Sequence, residues 1–92
     1  MSSFEWDRLK NRINIIKHGA SFDIAQLAFL DSKRVIAKDT SHSQKEQRFY
    51  CFGKVDHKVL TVRFTLRNGK IRIIGAGYWR RGKNIYEKEN KI

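Results

Sequence analysis

Two alternating apolar runs joined by an Asn-Gly pair constrain this chain more than any other feature. From Val59 to Leu66 one face reads Leu60, Val62, Phe64, Leu66 and the other Val59, Thr61, Arg63, Thr65, the period of a half-buried strand. A second run, Ile71 to Ala76, follows Asn68-Gly69, a dipeptide that accepts the positive φ angles of a tight hairpin turn. The two runs are expected to pair as antiparallel neighbours. Beyond them the composition changes: Tyr78-Trp79-Arg80-Arg81-Gly82-Lys83 sets two aromatics against three cations just past a strand end, where chemistry on a polyanion can sit.

The rest of the chain supplies partners for that hairpin. Asp7 is placed to cap a helix to His18, with Leu9, Ile13 and Ile16 at helical spacing and Gly19 as the stop. Phe4 and Trp6 read as packing residues, Trp6 stapling the helix entry. Ser21 caps a second helix from Phe22 to Leu30. Arg34–Lys38 reads as a first strand, 39–43 as a loop, Arg48–Gly53 as an aromatic-rich second strand, and Asp56-His57 as the turn before the hairpin. A terminal helix over Lys83–Lys91 has only Ile85 and Tyr86 to anchor it. The predicted order is ααββββα, an α+β domain with an antiparallel sheet of about four strands and helices on one face.

The 92 residues make a single domain. The start, from Met1 to Asp7, lacks a basic region followed by an apolar run, and no stretch approaches a membrane span. The expectation is a soluble cytoplasmic protein with no membrane contact. The lone cysteine, Cys51, lies between Tyr50 and Phe52 and reads as a buried thiol. Twenty Lys and Arg against nine Asp and Glu give +11. The excess is uneven: five against four over 1–33, nine against three over 34–70, six against two over 71–92. Such an imbalance suits nucleic acid or an acidic protein as partner, with solubility alone as the alternative.

The chain resembles the BrnT family, toxins of bacterial type II toxin–antitoxin pairs within the RelE-like ribonuclease group. The resemblance rests on Phe4-x-Trp6-Asp7-x-x-Lys10, Asn14-x-x-Lys17-His18-Gly19-x-Ser21-Phe22-x-x-Ala25, Asp39-x-x-His42-x-x-x-Glu46-x-Arg48-Phe49, Ile71-Arg72-Ile73-Ile74 and Tyr86-Glu87. It implies a RelE-like fold and an endoribonuclease that arrests growth. It also implies a ribbon-helix-helix, BrnA-like antitoxin, and operator DNA contacted only through the toxin–antitoxin complex. One departure stands out. Family members commonly follow the Arg-Ile-Ile strand with Ser-Ala-Arg, whereas this chain has Gly75-Ala76-Gly77. Either Arg80 or Arg81 then substitutes for the missing arginine from a different backbone position, or the site is weaker or built otherwise.

RNA is cut without metal when the 2′-hydroxyl attacks the adjacent phosphate, given a proton acceptor, cations for the phosphorane and a proton for the leaving oxygen. The acids here are scattered, with no paired carboxylates and no His-x-x-x-His, so no metal site and no cofactor is expected. Catalytic candidates are Arg48, Arg72, Arg80, Tyr86 and His42. Arg72 needs an open face or an anionic partner, Glu46 or Asp39; Arg48 contacts phosphate or pairs with Glu46. His42 belongs to a residue type that exchanges protons near neutrality, or is a plain loop histidine. His18 reads as a helix-end cap, His57 as surface. Tyr86 either moves a proton in the RelE-like manner or anchors the last helix. Arg63, Tyr78, Trp79, Arg81 and Lys83 are RNA-binding candidates, the aromatics by stacking on bases. The alternatives are a basic binding module without catalysis, or a toxin decayed at Gly77 that only binds its antitoxin.

Overall fold

Residues 3–92 are described by a computed structural model of the protein. Met1 and Ser2, part of the N-terminal stretch read above for a leader, lie outside the described residues. The elements run β1 (Phe4–Trp6), α1 (Arg8–His18), α2 (Phe22–Ala25) continued by a 3-10 segment (Gln26–Leu30), and β2 (Val35–Lys38). A 3-10 turn (Thr40–His42) leads to β3 (Arg48–Val55), β4 (Lys58–Arg67), β5 (Lys70–Gly77) and α3 (Arg80–Glu89). The described residues form one sheet in the order β1-β5-β4-β3-β2.

Strands β2 to β5 make the expected antiparallel meander. Its two hairpin turns are Asp56-His57 (φ 50° and 70°) and Asn68-Gly69 (φ 49° and 75°), the doubly positive geometry that matches strand twist. Strand β1 adds a parallel partner to β5, Phe4 opposite Ile71 and Trp6 opposite Ile73. The sheet therefore has five strands among the described residues, one more than the sequence pattern shows, because three residues are too few to display alternation. A bulge leaves Ile74 unpaired between Arg63–Gly75 and Phe64–Ile73. It holds Phe64 and Ile73 in the core while Gly75 stays opposite Arg63.

On one face Cys51, Leu60, Val62, Phe64, Ile73 and Ala76 bury against Phe22, Ala25 and Ala28. Burial pushes the Cys51 thiol up to about 12. On the other face α3 lays Ile85 and Tyr86 against Phe52 and Val59. Helices thus cover both faces, not one. The reason is in the strands: Phe52 and Val59 alternate with core residues and require cover of their own.

Helix α1 docks through amides. Asn14 Nδ2 donates to the carbonyls of Ala20 (2.7 Å) and Ala76 (2.8 Å), and its Oδ1 accepts from the Ala76 N–H (3.2 Å). The side chain thus pairs with Ala76 as a neighbouring strand would, beyond the point where β1 ends. Asn11 Oδ1 accepts from the Phe22 N–H (2.8 Å). The aliphatic stripe faces outward, with Leu9 63% and Ile16 78% exposed.

Candidate functional site

Helix α3 leaves part of the sheet face beneath it open. The resulting cleft of about 470 Å³ has Ala37, Tyr50, Phe52 and Thr61 among its lining residues, with Lys38, His42, Arg63, Trp79 and Arg81 around them. Alternation explains this assembly: Ala37, Tyr50 and Arg63 are register partners across β2, β3 and β4, so one sheet face presents all three. At Gly82 the helix comes so close that a Cβ would stand 1.9 Å from Thr61 Oγ1. That hydroxyl is the buried side-chain oxygen left without a hydrogen-bond partner among the described residues.

A hydrogen-bonded carboxylate–imidazole pair is assembled on the turn after β2. Asp39 is 4% exposed and accepts from Ser41 Oγ (2.9 Å) and His42 Nδ1 (2.9 Å). Burial works to raise its carboxyl, but the hydrogen bonds from Ser41 and His42, the His42 charge and Tyr50 prevail and hold it below the usual value. An ionised carboxylate only accepts, so the neutral imidazole carries its proton on Nδ1 and leaves Nε2 bare. Ser43 fixes the turn to β3: its Oγ donates to the Asp39 carbonyl and accepts from the Arg48 N–H (3.0 Å). Burial, followed by the Asp39 carboxylate, raises the Tyr50 hydroxyl, against the opposing Arg63 and Arg81 charges. Tyr50 therefore stays a hydrogen-bond donor at neutral pH.

Cations divide into two groups. Arg48 approaches Glu46 (4.0 Å), Arg67 binds Glu46 (3.1 Å) and Arg72 binds Glu5 (3.1 Å). Among the described residues Lys38, Arg63 and Arg81, all on the cleft, make no salt bridge. Helix α3 also begins with Arg80, Arg81 and Lys83 in its first turn, no acid there, and no side-chain cap from Trp79. Cations at the positive end of a helix dipole oppose it, an arrangement that an external anion relieves.

The sequence candidates separate accordingly. His42, Arg63, Trp79 and Arg81 meet in the cleft. Arg48 and Arg72 share the sheet face with Arg63 but lie off the cleft, and Arg72 is paired with Glu5 rather than Glu46 or Asp39. Arg80, Tyr78 and Lys83 line a neighbouring groove, so of Arg80 and Arg81 it is Arg81 that joins Arg63 on the cleft. Of the two readings of Tyr86, the geometry favours the anchor: it is 1% exposed, and its hydroxyl donates to Asp31 Oδ2. Burial and that carboxylate push it up to about 12, and the hydrogen bond ties α3 to the loop before β2.

Trp79 accounts for Gly77. A Cβ there would stand 2.5 Å from the indole Cζ2, so the ring occupies the place of a side chain at 77. The indole also meets His18 edge to face at 5.1 Å, which makes His18 a packing partner. Asp39 and Tyr50 were not among the candidates from sequence. The Asp39-x-x-His42 spacing within a Thr-Ser turn was the available signal, since residues three apart in a 3-10 turn lie on one side.

Residues 6–82 match the family described as "Ribonuclease toxin, BrnT, of type II toxin-antitoxin system". No curated protein matches the chain.

Proposed function

The chain belongs to the BrnT family of ribonuclease toxins of type II toxin–antitoxin systems, and on that premise we propose that the Asp39–His42 cleft is a metal-independent endoribonuclease site. His42 Nε2 takes the proton of an RNA 2′-hydroxyl while Asp39 holds the imidazole by Nδ1. The 2′ oxygen bonds to phosphorus, the bond to the 5′ oxygen breaks, and that oxygen leaves with a proton from solvent water. The products are a 2′,3′-cyclic phosphate and a 5′-hydroxyl. Arg63 and Arg81 stabilise the charge that develops on the phosphorane oxygens. Tyr50 donates a hydrogen bond to the same phosphate, Lys38 steers the backbone, and Trp79 stacks on an adjacent base.

The observation that carries this reading is the oriented imidazole in one cleft with guanidiniums that have no anionic partner among the described residues. Metal independence is favoured by the donor set, since no three His, Cys, Asp or Glu side chains gather among the described residues. Membership of the family implies an antitoxin. We propose that it is BrnA-like and of ribbon-helix-helix type, that operator DNA is reached only through it, and that the toxin acts in the cytoplasm.

Induction of the chain in a bacterial culture tests the reading. Growth arrest with new RNA ends mapped by primer extension is expected, and both are expected to be lost for His42→Ala at equal folded abundance. Arrest without new RNA ends, or arrest that survives His42→Ala, contradicts it.

A further inference from the structure

The cleft does not stop at Trp79. The same indole also lines a second groove of about 550 Å³, with Lys54, Lys58, Tyr78, Arg80 and Lys83. Lys58 Nζ stands 5.7 Å from the Tyr78 ring centre, and Tyr78 and Trp79 are both partly exposed. As in the cleft, these cations make no salt bridge among the described residues. The acid among the groove's lining residues, Glu87, leaves the balance strongly positive. Arg80 and Lys83 belong to the first turn of α3, which has no side-chain cap and no acid, a placement that an external anion relieves.

We propose that this groove is a track for the nucleotides flanking the cut, so that single-stranded RNA lies across both hollows with Trp79 between them. The inference rests on the ribonuclease reading of the cleft and adds to it a length requirement. Cations spaced along a groove and interleaved with aromatic faces are what a single strand needs, phosphates taking the first and bases the second. An acidic peptide would use the cations but leave the exposed aromatic surface of Tyr78 and Trp79 unused.

The test is binding of uncleavable 2′-O-methyl RNA, a trinucleotide and a decanucleotide, followed by fluorescence anisotropy over a salt series. The full chain is compared with its Lys58→Gln/Lys83→Gln variant, both exposed positions. The parent is expected to bind the decanucleotide more tightly. The variant is expected to lose affinity for the decanucleotide alone, its salt slope falling by about 1.4, roughly 0.7 for each phosphate contact given up on a single strand. Equal parental affinity for both lengths, or an equal loss on both in the variant, overturns the track and leaves the ribonuclease reading standing. A polyglutamate peptide that competes with the trinucleotide-saturated parent for the groove, without the decanucleotide gaining affinity, overturns it in favour of an acidic protein. No binding of either RNA refutes both readings.

Discussion

Replacing Tyr86 by phenylalanine removes one oxygen from the junction of α3 with the loop before β2. That hydroxyl donates to Asp31 Oδ2, which also accepts from the Lys54 N–H (2.8 Å), while Oδ1 accepts from the Lys33 N–H (2.9 Å). A hydrogen bond to a charged group is worth about 1.5–3 kcal/mol. Asp31 keeps two backbone donors and the ring stays buried, so the loss belongs near the lower end, about 1.5–2 kcal/mol. In a domain of this size that corresponds to a fall in Tm of roughly 6–16 °C. The effect carries a pH signature. Burial raises the Asp31 carboxyl, but Tyr86, Lys54 and Lys33 together bring it below the ordinary value. A carboxylate depressed in the folded state contributes stability above its unfolded pKa of about 3.9, lost as pH falls through the folded value. The gap in Tm between parent and Tyr86→Phe should therefore be full at neutral pH and shrink in acid. Thermal melts at neutral and acid pH, with RNA cleavage measured per folded molecule, check this. Unchanged Tm with lost cleavage would refute the reasoning and return Tyr86 to the reaction.

Other substitutions probe the frame around the cleft. Asn14→Ala breaks three hydrogen bonds and strands three backbone groups of Ala20 and Ala76; urea unfolding should show a loss of at least roughly 3 kcal/mol, at about 1–3 kcal/mol for each group left unsatisfied. Ile16→Ser, on the outward face of α1, should stay within about 0.5 kcal/mol of the parent in the same assay. Gly82→Ala gains about 1 kcal/mol of helix propensity but sets a Cβ 1.9 Å from Thr61 Oγ1 and 3.1 Å from Phe52 Cδ1. Overpacking costs about 1–3 kcal/mol, so the net change should be destabilising, and Thr61→Ala in the same chain should restore the loss.

What the sequence conveyed, and what it did not, follows from how far apart the determining atoms lie. Strands β3 to β5 were legible because alternation and the turn residues Asp56-His57 and Asn68-Gly69 are local signals. The face taken by α3 was not, since it depends on which sheet face lacks cover, a property of strands pairing at a distance. The stripe of Leu9, Ile13 and Ile16 identified a helix and gave no hint that Asn11 and Asn14 do the docking. At the site, His42 and Arg81 could be singled out by residue type and neighbourhood. Tyr50 could not, because its approach to them depends on the β2–β3 and β3–β4 registers. Tyr86 stayed open between two readings because a family motif names a position, while its burial and its bond to Asp31 become visible only in the fold.

In the proposed reaction His42, oriented by Asp39, moves the proton that starts RNA cleavage. The most direct measurement is the single-turnover rate of the purified chain on a defined RNA with a metal chelator present, compared with His42→Gln at equal Tm. Loss of a positioned general base should slow the reaction by about two to four orders of magnitude, with parental products ending in a 2′,3′-cyclic phosphate. Cleavage by His42→Gln at the parental rate, or parental products ending in a free 3′-hydroxyl, would rule out His42 as the base of a 2′-hydroxyl attack.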